Sequence, residues 1–214
     1  MKMTRDQLSI KQTSEMFHFI ANRMIESKGI LTEADKKIGD GDHGVNMARG
    51  FEAVIKVLEE ESFPTLGDLL SAIGLSLLTS VGGAAGAIFG TFFRGGAKNL
   101  VQKTVFNSQI LSTMLIDALE AIKQRGKAKS GDKTMVDALE PAAKISKETI
   151  SLSLSDALYL IVKEAEKGAE TTKDMVATIG KAKTLGERSL GYSDPGAIST
   201  SLILRYMLEY VDLE

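Results

Sequence analysis

Apolar residues recur at three- and four-residue spacing along most of the chain, the signature of helices that bury one face. Met16, Phe17, Ile20, Met24 and Ile25 form the first stripe; it opens at Thr4 or Asp6 and closes at Lys28-Gly29. An acidic segment, 31–44, reads as a loop, its part 32–37 helical or irregular. Phe51, Val54, Ile55 and Leu58 predict a second helix over about 45–61, which Pro64 ends, and Thr65 can cap a third over Leu69, Leu70, Ile73 and Leu77. Ser80-Val-Gly-Gly-Ala-Ala-Gly86 reads as a tight turn opening a fourth. Ser108 is a cap candidate for a helix over Leu111, Leu115, Ala118, Leu119 and Ile122, ending near Arg125-Gly126. Asp132 can cap a further helix over 134–147, and Ser155 or Asp156 one over Leu158, Ile161, Val162, Ala165 and Ala169, with weak spacing on to Ile179. Asp194-Pro195-Gly196 turns into a last helix carrying Ile198, Leu202, Leu204, Met207 and Leu208. Strand-like alternation is absent. The expectation is an all-α fold of about eight amphipathic helices, one domain over residues 1–214.

Composition narrows the class. The chain is 43% hydrophobic and 25% charged, with a net charge of −2; such a balance argues against sequence-independent nucleic-acid binding, which needs basic patches to neutralise phosphates. Cysteine is absent, which excludes disulfides and thiolate chemistry and fits a reducing, cytoplasmic setting. No apolar leader stands at the N-terminus. Leu69 to Phe93 carries no charge, a length that could span a bilayer. Gly74, Gly82, Gly83, Gly86 and Gly90 interrupt it and hydroxyl residues stud it, so two buried helices meeting at a turn is the expectation, with no membrane partner. Glycines at four-residue spacing there would let another helix approach closely.

The candidate chemistry centres on Ile38-Gly-Asp-Gly-Asp-His-Gly44, with Asp35 just ahead. Asp35, Asp40 and Asp42 repel one another unless a cation sits among them, and oxygen donors without thiolates favour Mg²⁺ or Ca²⁺. The glycines match a dinucleotide fingerprint in letters, but that motif needs a preceding strand and would aim Asp40 and Asp42 at a pyrophosphate. An EF-hand starting at Asp40 fails, because Phe51 and Val45 stand where a glutamate and a glycine are required. A solvated turn capping the next helix is the structural alternative. Gly126-Lys-Ala-Lys-Ser-Gly-Asp132-Lys133-Thr134 resembles a Walker A loop with one extra residue, but follows a helix rather than a strand. Lys181, Lys183 and Arg188, in a glycine-bearing loop over 180–196, could meet phosphates or simply be solvated. His18 lies beside the first stripe and reads as a surface or half-buried side chain.

Taken in order, Ile38-Gly-Asp-Gly-Asp-His-Gly44, Ser80-Val-Gly-Gly83, Gly90-Thr-Phe-Phe93, Gly126-Lys-Ala, Gly131-Asp-Lys-Thr-Met135, Leu185-Gly-Glu-Arg-Ser189 and Asp194-Pro-Gly196 resemble the nucleotide-binding L subunit of dihydroxyacetone kinase over nearly the whole chain. The resemblance implies an antiparallel barrel of eight helices with ADP or ATP and two Mg²⁺ at one end. It implies Asp35, Asp40 and Asp42 as metal ligands. It also implies His43, Gly44, Val45 and Asn46 as the phosphate-contacting run, and Ala84, Ala85, Gly126, Met135, Lys181, Asp194, Pro195 and Gly196 as further nucleotide contacts. Two positions depart from the family pattern: Ala85 replaces a frequent serine, removing a hydroxyl donor, and Lys181 replaces an arginine, keeping charge but losing the planar fork. No dihydroxyacetone-binding domain is fused to the chain, which by resemblance points to the phosphotransferase-dependent type. There, bound ADP is rephosphorylated by a phosphohistidine donor, the M subunit, and ATP passes its γ-phosphoryl to dihydroxyacetone on a separate K subunit. The resemblance assigns no general base to this chain; His43 as a phosphocarrier, a nucleotide-sensing module docked on a transcriptional regulator, and service to another small-molecule kinase are the alternatives.

Overall fold

The computed structural model describes residues 6–213. Among these residues there are nine α-helices: α1 (Ile10–Glu26), α2 (Lys28–Ile38), α3 (His43–Glu60), α4 (Leu66–Ser80), α5 (Gly83–Gly96), α6 (Ser108–Gly126), α7 (Val136–Ser146), α8 (Leu154–Thr171) and α9 (Pro195–Asp212). Eight of them are staves of a closed ring. α1 packs on α3, α3 on α4, and each following helix on the next until α9 returns to α1. Each stave runs antiparallel to its neighbours, so four turns gather at one end: 39–42, 81–82, 127–135 and 172–194. The other end is closed by a short antiparallel pair, β1 (Gln7–Ser9) with β2 (Val105–Asn107), which drives Leu8 and Phe106 into the core.

The ninth helix, α2, corrects the sequence reading of 31–44 as loop. It lies across the gathered end against α3 and α9 and buries Leu31, Asp35 and Ile38 on one face. The barrel interior is one continuous apolar cluster, with Phe17, Phe92 and Phe93 meeting edge to face at 5.0–5.8 Å between ring centres, a geometry that suits the ring quadrupole. The uncharged 69–93 segment is α4 turning into α5. A methyl group on Gly74 would sit 2.8 Å from the Gly90 carbonyl, and one on Gly90 2.9 Å from that of Gly74, so these glycines bring the two backbones together. No helix among the described residues is long and apolar enough to cross a membrane.

Several predicted caps move. Ser9 forms a capping box with Gln12 at the start of α1, where Asp6 was expected; Thr4, the other candidate, lies outside the described residues. Asn107 caps α6 in place of Ser108, and Ser153 caps α8 in place of Ser155 or Asp156. α8 stops at Thr171 and does not run on to Ile179. Pro64 and the Thr65 cap stand as predicted, with Thr65 Oγ1 accepting from the Asp68 N–H. His18 is half-buried and pairs with Glu59 at 3.3 Å.

Candidate functional site

The gathered turns surround a cavity of about 370 Å³. Its wall joins residues that lie as far apart in sequence as Asp35 and Gly196. One side is acidic. Asp35 projects from α2, and its Oδ2 accepts from the His43 N–H at 3.1 Å, so a neighbouring helix caps α3 while the Asp42 side chain at the cap position makes no capping bond. Gly39 is required for this, because a methyl group there would meet Asp35 Oδ1 at 2.0 Å. The chain then turns through Gly41 at φ 77° and presents Asp40 and Asp42 to solvent beside Asp35. One oxygen of each carboxylate lies within 4.8 Å of the others. Lys181 reaches this cluster from the opposite loop, its Nζ 2.5 Å from Asp40 Oδ2 and 3.6 Å from Asp42 Oδ1. That hydrogen bond holds the Asp40 carboxyl below, and the Lys181 ammonium above, their ordinary pKa values.

The opposite side offers donors. α3, α5, α7 and α9 all begin at this end, and each helix start carries unsatisfied N–H groups and partial positive charge. α5 opens at Gly82-Gly83 with no side-chain cap, which leaves its first N–H groups available to an anion. Between the two sides the wall is apolar, with Ile38, Ile88, Phe89, Ile122, Met135 and Ile179. His43 is buried, its Nε2 2.7 Å from Ser199 Oγ and its ring tilted against Phe89. Burial pushes its pKa below the ordinary value, against the pull of Asp35 and Asp42.

Polar side chains inside the loops fix this frame. Asp137 accepts from the N–H groups of Gly131 and Thr134 at 2.6 and 2.7 Å. Asp132, expected as the α7 cap, instead accepts from Lys129 N at 2.8 Å and Thr178 Oγ1 at 2.6 Å, tying two turns together. Lys133, in a left-handed conformation at φ 62° and only 1% exposed, donates to the carbonyls of Thr172 and Tyr192 at 2.5 Å each. Burial lowers its pKa, opposed by Asp194, Asp137 and Asp174. Asp194 caps α9 through the Ala197 N–H at 2.8 Å. Its carboxyl is pushed up to about 7, chiefly by desolvation and also by the charge of Asp137, against the Ala197 N–H and Lys133.

Residues 37–209 match the DAK2 domain family. The chain belongs to this family. It is 38% identical over 187 residues to the ADP-binding subunit DhaL of the PEP-dependent dihydroxyacetone kinase 1 of Listeria innocua, covering 87% of this chain and 89% of that one. It is 39% identical over 179 residues to the corresponding Escherichia coli subunit, covering 83% and 85%. Among solved structures it superposes on the dihydroxyacetone kinase of C. freundii in complex with AMP-PNP and Mg²⁺ with a TM-score of 0.71 at 26% identity, covering 92% of this chain and 33% of that one. The DAK2 domain thus spans about a third of that longer kinase.

In this chain Asp35, Asp42, His43, Asn46, Ala84, Ala85, Gly126, Met135, Lys181, Asp194, Pro195 and Gly196 all line the cavity. Asp40 stands beside it in the carboxylate cluster. Gly44 and Val45 do not line it: a methyl group on Gly44 would lie 2.2 Å from the Lys28 carbonyl on α2, and the Val45 side chain is 46% exposed. Lys183 and Arg188 are exposed and stay out of the wall. The sequence reading missed Lys133, Ser199 and most of the apolar wall. Lys133 was in view in the Walker-like stretch, but nothing local marks it as buried.

Proposed function

We propose that this chain is the nucleotide-binding subunit of a phosphoenolpyruvate-dependent dihydroxyacetone kinase, holding ADP and ATP while a phosphoryl group passes from a phosphohistidine donor, the M subunit, to dihydroxyacetone on a K subunit. The observation that carries this reading is the carboxylate cluster of Asp35, Asp40 and Asp42, already seating a cation in the form of Lys181, at the mouth of an apolar cavity ringed by helix N-termini. Its relatives among the ADP-binding subunits match it over most of their length.

Hard oxygen donors at this spacing fit Mg²⁺, which is held by a few carboxylates together with substrate phosphates; Asp35, Asp40 and Asp42 would hold it, two ions by family resemblance. Held there, Mg²⁺ would supply positive charge against the phosphoryl oxygens. The chain's own part is positioning. The slot lined by Ile38, Ile88, Phe89, Ile122 and Met135 suits the flat faces of a nucleobase, which would leave the phosphates toward the acidic rim. The uncapped N–H groups at the start of α5, and the helix start that follows His43, whose own N–H is held by Asp35, give fixed dipoles toward the phosphate oxygens. Ser199 fixes the His43 ring at the end of that run. Asp194 braces the start of α9, so that Pro195 and Gly196 keep their place in the wall. The alcohol is carried by the K subunit, and the base that deprotonates it is assigned to that subunit.

The test is calorimetry with ADP and Mg²⁺, followed by reconstitution with a K subunit and phosphorylated M subunit. The wild-type chain is expected to take up one ADP and support turnover. Asp40→Asn is expected to lose Mg-ADP retention while its helical circular dichroism persists. A well-folded wild type that takes up no nucleotide, or a variant that keeps it, overturns the reading.

A further inference from the structure

Lys181 occupies an unusual place. Its ammonium lies against two carboxylates of the cluster, Asp40 and Asp42, and feels the charge of the third, Asp35. The segment that carries it is anchored by its backbone, while the lysine side chain reaches out from it. Ala182 and Leu185 pack on Ile38 and Ala177 in a small apolar cluster of their own, which fixes the backbone against α2. Gly180 and Gly186 take positive φ values of 74° and 56° on either side. The Lys181 side chain is 56% exposed, and the bonds that hold its ammonium go to the carboxylates.

We propose that Lys181 is a tethered competitor for the divalent cation, filling the carboxylate cluster while the cation is away and moving onto the nucleotide's phosphates when the two arrive together. The inference rests on the reading of Asp35, Asp40 and Asp42 as metal ligands. A single positive charge on a flexible stem satisfies the cluster's repulsion, but a divalent ion entering the same space is repelled by it. A polyphosphate supplies the ammonium with a new partner and draws it off the carboxylates. Metal and nucleotide therefore bind with positive coupling, each raising the affinity of the other by the same factor. The compact ammonium suits this exchange better than a guanidinium, whose planar fork is shaped for bidentate contacts.

The experiment uses Mn²⁺ as the probe, followed by electron paramagnetic resonance with and without ADP, on the wild type, Lys181→Met and Asp35→Asn. Lys181→Met is expected to bind Mn²⁺ alone about tenfold more tightly, because the repelling charge is gone. The factor by which ADP tightens Mn²⁺ binding is expected to shrink in the same variant by about as much. Mn²⁺ binding weakened by Asp35→Asn but indifferent to Lys181→Met overturns the competitor and leaves the metal site standing. Mn²⁺ binding indifferent to Asp35→Asn overturns both.

Discussion

A methyl group placed on Gly44 would land 2.2 Å from the Lys28 carbonyl oxygen, 2.3 Å from Thr32 Oγ1 and 2.7 Å from the Thr32 nitrogen. Two of these three atoms are backbone, so no side-chain rotation relieves the clash. Ordinary contact needs at least 3.4 Å, and α2 would have to withdraw from α3 by about 1 Å. Overpacking of this kind costs about 1–3 kcal/mol, while replacing a helical glycine by alanine returns at most about 1 kcal/mol. Gly44→Ala is therefore expected to destabilise by about 1–2 kcal/mol, which for a chain of this size lowers Tm by about 2–8 °C. The same movement carries Asp35, one turn further along α2, away from the His43 N–H and from Asp40 and Asp42. Affinity for Mg-ADP should fall by at least about tenfold, since an ångström at a positioned group is a large error. Gly29→Ala is the control: it lies on the same helix, and a methyl group there meets nothing within 4 Å, so its stability should be unchanged or higher by up to about 1 kcal/mol. Thermal unfolding by circular dichroism and calorimetry with Mg-ADP measure both effects. A Gly44→Ala variant melting with the wild type, or melting lower with its Mg-ADP affinity intact, refutes the argument.

Two further outcomes follow from the loops. Lys133→Met removes the ammonium that joins the Thr172 and Tyr192 carbonyls and should cost about 2–3 kcal/mol in urea unfolding, the loss of charged hydrogen bonds being partly offset by relief of a buried charge; a variant as stable as the wild type removes Lys133 from the frame. Asp194, with its carboxyl at about 7 in the folded chain against an unfolded value of about 3.9, binds its proton more tightly when folded. Its contribution to stability is therefore greatest below about pH 4 and is lost as pH rises through about 7. Asp194→Asn, which keeps an acceptor for the Ala197 N–H, should gain stability relative to the wild type between about pH 5 and about pH 8, and an unchanged difference across that range contradicts the assignment.

The staves of the barrel were legible because each buries a stripe of its own. Met16, Phe17, Ile20 and Met24 in α1 and Leu158, Ile161, Val162 and Ala165 in α8 are all buried, as their spacing predicts. α2 read as no more than a helical or irregular piece of an acidic loop, for a physical reason. Its buried positions are Leu31, Asp35 and Ile38, a proper helical stripe in which the middle place is taken by a carboxylate. The residue that matters most to the acidic cluster thus erases the periodicity of the helix that carries it. The β1–β2 pair was missed because three residues on each side are too few to show alternation. The caps shifted by a few residues where two hydroxyl or carboxylate candidates stood close together, as at Ser153 and Ser155.

The site was legible as a set of motifs and illegible as a set of partners. Lys133 and Lys181 look alike in sequence, each a lysine close behind a glycine in a charged loop. Their roles diverge because of what lies far along the chain. Lys133 meets carbonyls 39 and 59 residues away and disappears into the frame; Lys181 meets a carboxylate 141 residues away and remains at the surface. Local patterning reports which residues want to be buried, and a charged residue gives the same local signal in both cases. Only the closed ring, by returning α9 to α1 and placing the 172–194 turn over α2, decides that one lysine is a structural pin and the other a cation held among acids. Changing α2's seat, as Gly44→Ala does, should therefore disturb Lys181's surroundings first, because Ile38 of α2 packs directly on Ala182 beside it.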